Sequence, residues 1–320
     1  MQIRNKLYLF LLTKIALISY VFSMEQPEMK SKIAISPKIH PSKFERILLG
    51  AYLRPESVLS LLPKELIMHI GSDIHKGIKK SSKALLNAVK TNDKNVEDEI
   101  KELLKEHYIN IDIEDENGDT PLIWAVINDN PEIVEMLLEK GANPNIQGYE
   151  KNTALMHSAQ NNFEKIIHIL YKAQADPNIQ NIYHQTPLMY AARYDNPEAI
   201  RMLFTPENRN VKDRFGMTAL AYAVEFNQPN MVQLLLNAGA NIELKDNFGK
   251  TPLILAVEFN FPEIVQILLN NAADPNSTDE SGETPLMYAV QINSPTIVNM
   301  LLAAGANINI GEGKTVLDLA

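Results

Sequence analysis

Seven histidines (His40, His69, His75, His107, His157, His168 and His184) hold the widest range of chemistry in this chain of 320 residues. Two of them four apart on a helix, with a glutamate between, could bind a metal and activate water, but no HExxH and no histidine pair at helical spacing occurs. There is no cysteine, which excludes thiolate ligands, disulfides and cysteine nucleophiles. Neither GxGxxG nor GxxxxGK[ST] is present to cradle a phosphate, and no GxSxG presents a nucleophilic serine. The acidic residues are scattered as on a solvated face. His157 reads as a core or semi-buried histidine rather than a ligand. The expectation is a protein that is not an enzyme, with no catalytic residue, no metal and no cofactor.

Regular spacing does appear among the aromatics. Tyr183 and Tyr194, Phe215 and Phe226, and Phe248 and Phe259 form three pairs of equal spacing, with Arg193, Glu225, Glu258 and Lys250 written among them. Aromatic anchors rimmed by charge are the composition of a protein-binding hot spot. The competing reading is copying: EFNQP and EFNFP share a phenylalanine by descent, with the rings partly covered by their neighbours.

The elements that must position these residues repeat. TPLMYA occurs at 186–191 and again at 284–289, and aligning its threonine gives Thr120, Thr153, Thr186, Thr218, Thr251, Thr284 and Thr315, spaced by 31 to 33 residues. A fixed period of that length marks a solenoid. Threonine is a favourable helix N-cap, and Pro121, Pro187, Pro252 and Pro285 follow where a missing N–H costs nothing. Asp129, Asn162, Asp195, Asn227, Asn260 and Asn293 come nine residues after each threonine and tolerate the left-handed backbone that ends a helix. Pro131, Pro197, Pro229, Pro262 and Pro295 then open a second helix, whose apolar stripe is written as Ile133-Val134…Leu137-Leu138 and its copies. Turns such as GANPN (141–145) close each unit.

These motifs resemble the ankyrin repeat family. The resemblance covers about residues 112–320, six full repeats over 112–309 and a truncated seventh over 310–320, with 82–111 as a degenerate capping repeat. It implies an all-α fold, an ankyrin-repeat solenoid of helix-turn-helix units with short hairpin turns. It also implies that Tyr183, Tyr194, Phe215, Phe226, Phe248 and Phe259 face a concave groove, with Arg193, Glu225 and Glu258, as a partner-binding surface. The function it implies is a non-enzymatic protein–protein interaction scaffold.

The sequence departs from that family in three ways. The TPLH histidine is replaced by Ile123, Met156, Met189, Ala221, Ile254 and Met287, which predicts loss of the polar network between repeats and more apolar packing. Lys151 and His184 replace the turn glycine that Gly118, Gly216, Gly249 and Gly282 retain. TPENRN (205–210) replaces the usual closing turn of the third repeat, so an irregular hairpin is expected there.

The N-terminal region has its own logic. Residues 1–23 begin with Arg4 and Lys6 and continue as an apolar run, the form of a secretory signal peptide. The alternatives are a membrane anchor, opposed by Lys14 in mid-run, or translation from Met24. Export to a periplasm or medium follows from the first reading, a cytoplasmic protein from the last. Residues 24–41 are expected to be flexible and 42–81 to form a small helical segment. Within it, 60–74 resembles the start of an F-box helix through Leu62, Pro63, Glu65, Leu66, Ile67 and Ile70. An ordinary amphipathic helix is the plainer reading. A working F-box would make the chain a substrate receptor docking a ubiquitin-ligase adaptor. Joined to an export signal, it would resemble the secreted ankyrin proteins of host-associated bacteria.

Residues 1–83 hold a net charge of +8 against −9 for the whole chain, so residues 84–320 carry −17. An acidic array repels phosphate, which argues against nucleic acid and for a partner with a basic or apolar segment.

Overall fold

The computed structural model describes residues 64–91, 96–106 and 109–309. The signal-like segment, residues 24–41, Leu62, Pro63 and the seventh repeat lie outside them. The chain divides into two compact units, 1–81 and 82–320. Helix α1 (Lys64–Thr91) carries Leu66, Ile67 and Ile70 and runs unbroken through the 81/82 boundary that the repeat pattern suggested. Among the described residues no helix is long and apolar enough to cross a membrane, no group of side chains could hold a metal, and no strand occurs.

The second unit begins with the capping repeat. Its two helices are the end of α1 and α2 (Val96–Leu103), which bury Leu85, Leu86, Val89, Val96 and Ile100, with Leu104 buried just beyond α2. Six helix pairs follow: α3 (Pro121–Ile127) with α4 (Pro131–Glu139), α5 (Ala154–Gln160) with α6 (Glu164–Lys172), α7 (Pro187–Arg193) with α8 (Pro197–Leu203), α9 (Ala219–Glu225) with α10 (Pro229–Asn237), α11 (Pro252–Glu258) with α12 (Pro262–Asn270), and α13 (Pro285–Gln291) with α14 (Pro295–Ala303). First helices pack on first helices of the neighbouring repeats, second helices on second.

Each pair is built by local rules. The six threonines all adopt extended backbone and accept a hydrogen bond from the N–H three residues on, as in Thr251 Oγ1 from Ile254 N at 3.3 Å. Between the helices Asp129, Asn162, Asp195, Asn227, Asn260 and Asn293 all take φ of 51–58°, the left-handed turn that short polar side chains tolerate. A helix of seven residues is too short to stand alone. Leu122, Leu155, Leu188, Leu220, Leu253 and Leu286 are all buried against neighbouring repeats, as are Val134, Ile167, Val232 and Val265 from the second helices. One continuous core thus runs from Leu85 to Leu301, and it exists only because the units stack.

The third repeat is irregular in the expected place. Its second helix, α8, has seven residues where the other five have nine. Buried Asn208 completes the end: its Nδ2 donates to Leu203 O at 2.7 Å, and its Oδ1 accepts from Thr205 N at 2.9 Å.

Candidate functional site

The hairpins that precede each threonine position the first row of aromatics. In four of them an aspartate five residues before the threonine accepts two backbone N–H groups, folding the tip into a tight loop: Asp213 Oδ1 takes Phe215 N and Met217 N, both at 2.9 Å. Adjacent tips are stitched by backbone bonds. Arg214 N donates to Tyr183 O (3.1 Å), Asn247 N to Phe215 O (2.9 Å) and Glu280 N to Phe248 O (3.1 Å). The carbonyl of each aromatic is therefore fixed by the next repeat, and its side chain projects from a rigid edge. The second row comes from the C-caps of the first helices, Tyr194, Phe226 and Phe259.

The two rows line one open groove of about 740 Å³ together with Arg193, Glu225, Lys250 and Glu258. Five of the six rings are exposed, from 39% at Tyr194 and Phe226 to 64% at Phe248. Tyr183 is half-buried because its hydroxyl donates to Glu150 Oε1 at 3.1 Å. The rings already hold the chain's own cations. The Arg193 guanidinium lies 4.5 Å from the centre of Phe226 and 5.4 Å from that of Tyr194, and Lys250 Nζ lies 5.3 Å from that of Tyr288. Lys250 Nζ also donates to Glu258 Oε1 at 2.6 Å. Such ring–cation contacts are worth about 0.5–1 kcal/mol where exposed and more where desolvated.

Beneath the exposed rings lies a third row that the repeat pattern did not reveal. Four residues after the threonine stand Trp124, His157, Tyr190, Tyr222, Leu255 and Tyr288. Their polar tips meet the residue five before the threonine: Trp124 Nε1 donates to Asp115 Oδ2 (3.1 Å), Tyr222 Oη to Asp213 Oδ2 (2.6 Å) and Tyr288 Oη to Asp279 Oδ2 (2.8 Å), while Tyr190 Oη accepts from Asn181 Nδ2 (3.1 Å). Neighbouring repeats join in, with Gln185 Nε2 donating to Tyr222 Oη at 2.7 Å and Asn181 Nδ2 to Asn152 Oδ1 at 3.0 Å. This corrects the expectation of purely apolar packing. The missing TPLH histidine is replaced by ring-to-hairpin hydrogen bonds from the next position along. Matching the two columns across repeats would have exposed the pairing, since aspartate or asparagine accompanies the ring in four of six units.

The second repeat breaks the pattern. Its hairpin position is Gly148, because the Asp119 carboxylate of the preceding repeat occupies the space a Cβ would take, with Oδ1 accepting Tyr149 N at 2.9 Å. His157 thereby lacks the hairpin aspartate or asparagine that the ring residues of four other repeats possess, and its Nε2 is buried without a hydrogen-bond partner. Burial pushes its pKa down, with Asp119 partly opposing. It is a semi-buried histidine whose inner ring nitrogen is out of solvent.

The match to known proteins follows the same periodicity. A family model described as ankyrin repeats (3 copies) matches residues 56–148, 155–246, 204–279 and 239–312. Among solved structures the chain is similar to the ankyrin repeat domain of Bcl-3, described as a unique member of the IkappaB protein family. The two are 30% identical with a TM-score of 0.60, over 64% of this chain and 95% of that one. None of the curated proteins compared with the chain matches it. Six threonine-capped helix pairs on one continuous core, matched by the family model over most of their length, establish that the chain belongs to the ankyrin-repeat family.

Proposed function

We propose that this protein is a non-enzymatic interaction scaffold that binds a partner protein along the aromatic groove. The observation that carries this reading is the exposure of Phe215 and Phe248, 58% and 64%, beside Tyr194, Phe226 and Phe259 on one rigid face. Large rings held in solvent by a stitched backbone contribute little to folding, and contiguous exposed apolar surface of this kind marks an interaction site. Glu150, Glu225, Glu258 and Asp246 line the same groove, against Arg193 and Lys250. The complementary partner carries basic and apolar side chains. Charge of this kind sets encounter rate and orientation, and the rings supply the affinity.

Affinity capture on the immobilised full chain, followed by titration of the recovered partner, tests the reading. Phe226→Ala and Phe248→Ala are expected to weaken binding by about 2 kcal/mol or more, the hot-spot scale, and rising salt to weaken it further. Tyr171→Ala is the control, an exposed aromatic on α6 that does not line the groove. Equal loss at Tyr171, or none at either phenylalanine, would move the binding face elsewhere.

A further inference from the structure

Within the groove one carboxylate differs from its counterparts in the other repeats. Seven residues after the threonine stand Arg193, Glu225, Glu258 and Gln291, and one residue before it Gln185, Met217, Lys250 and Glu283. In the last two of these repeats the positions bond to each other: Lys250 Nζ to Glu258 Oε1 at 2.6 Å, and Gln291 Nε2 to Glu283 Oε1 at 3.0 Å. In the fourth repeat the earlier position is Met217, which has no donor, and the Glu225 carboxylate makes no hydrogen bond or ion pair among the described residues. Arg193, one repeat away, is turned onto Tyr194 and Phe226 instead. Glu225 is half-buried among rings, and burial, partly offset by Arg193, holds its carboxyl above the usual range. A carboxylate so placed gains from any donor that reaches it, and a cationic one most.

Accepting the groove as the binding face, we propose that Glu225 receives one lysine or arginine side chain of the partner, and that the partner lies along the groove as an extended segment with apolar side chains three residues to either side. The geometry of the repeats carries the spacing. Helices α7, α9 and α11 pack side by side, and packed helices sit about 8–10 Å apart. A polyproline II segment has three residues per turn and a rise of about 3.1 Å, so every third side chain recurs on one face at about 9 Å. Its residue i would meet Glu225 on α9 between Phe226 and Phe259, while i−3 and i+3 reach the rings of the repeats before and after. Spacings of two or four residues fall out of step with the stack.

Selection of short random peptides displayed against the full chain tests this directly. The expected outcome is enrichment of a lysine or arginine with an apolar residue three positions away. The same selection on Glu225→Gln should lose the basic preference, and a synthetic peptide of the selected sequence should bind Glu225→Gln about ten-fold more weakly. Glu225→Lys should turn the preference toward aspartate or glutamate. Glu225 is partly solvated, so thermal melts matching the wild type confirm that these variants fold. Peptides weakened by Phe226→Ala but showing no basic preference, or keeping it in Glu225→Gln, overturn the Glu225 inference and leave the groove reading standing. If Phe226→Ala weakens no selected peptide, both fall together.

Discussion

Tyr222 Oη donates to Asp213 Oδ2 at 2.6 Å while accepting from Gln185 Nε2 at 2.7 Å, so one buried phenol joins a helix, its own hairpin and the hairpin of the preceding repeat. Burial and the Asp213 carboxylate hold the phenol well above its ordinary pKa, and it remains a donor into alkaline solution. Tyr222→Phe keeps the ring and removes the donor to Asp213 Oδ2, while Oδ1 keeps its two backbone N–H groups. Unfolding in urea should show a loss of about 1–3 kcal/mol. An unchanged midpoint would mean that water replaces the phenol at no cost.

Core and groove should separate cleanly in stability. Leu253 is 1% exposed, and Leu253→Ala leaves a cavity between three repeats. The expected cost is about 2–5 kcal/mol. Phe259 is 41% exposed and stacks on Phe261 at 6.0 Å. Phe259→Ala should cost less than about 1 kcal/mol, the scale of a partly exposed ring contact. Equal losses by chemical denaturation would place the ladder in the core.

His157 gives the fold a pH dependence of known sign. Its folded pKa lies below the free value of 6.5 because burial disfavours the imidazolium. The unfolded chain therefore binds the proton first. Stability contributed by this site is intact above about pH 6.5 and declines as pH falls through that value toward the depressed folded pKa. His157→Gln, which cannot titrate, should flatten the profile of urea midpoint against pH between 7 and 5, measured relative to the wild type.

Lys151 and His184 occupy turn positions with φ of 59° and 62°, where the equivalent Gly118, Gly216, Gly249 and Gly282 lie at 76–87°. Both side chains are exposed, so only the backbone is at stake. Lys151→Gly and His184→Gly relieve a left-handed strain of about 1 kcal/mol each, less the added freedom of the unfolded glycine. A small rise in thermal midpoint is expected from either, and neither should alter partner binding.

The caps and turns of each unit, decided within a few residues along the chain, were legible in its sequence. Thr251 caps Ile254 three residues away, Pro252 tolerates a first-turn position, and Asn260 accepts positive φ. Each is an interaction along the chain, and the period of about 33 repeats it six times. The equivalence of Phe215, Phe226, Phe248 and Phe259 was legible for the same reason, since they hold constant offsets from the capped threonine; that they share a concave face was implied only by the family resemblance. What the stacked structure alone decided lies between units. Asp119 fills the space above Gly148 and so orphans His157. Gln185 reaches Tyr222 from 37 residues away. Arg193 turns onto Phe226 of the next repeat and leaves Glu225 unpaired. These depend on which side chains two neighbouring repeats bring within a few ångströms. A repeat pattern fixes equivalent positions, but the residues that differ between copies meet only when the copies are stacked.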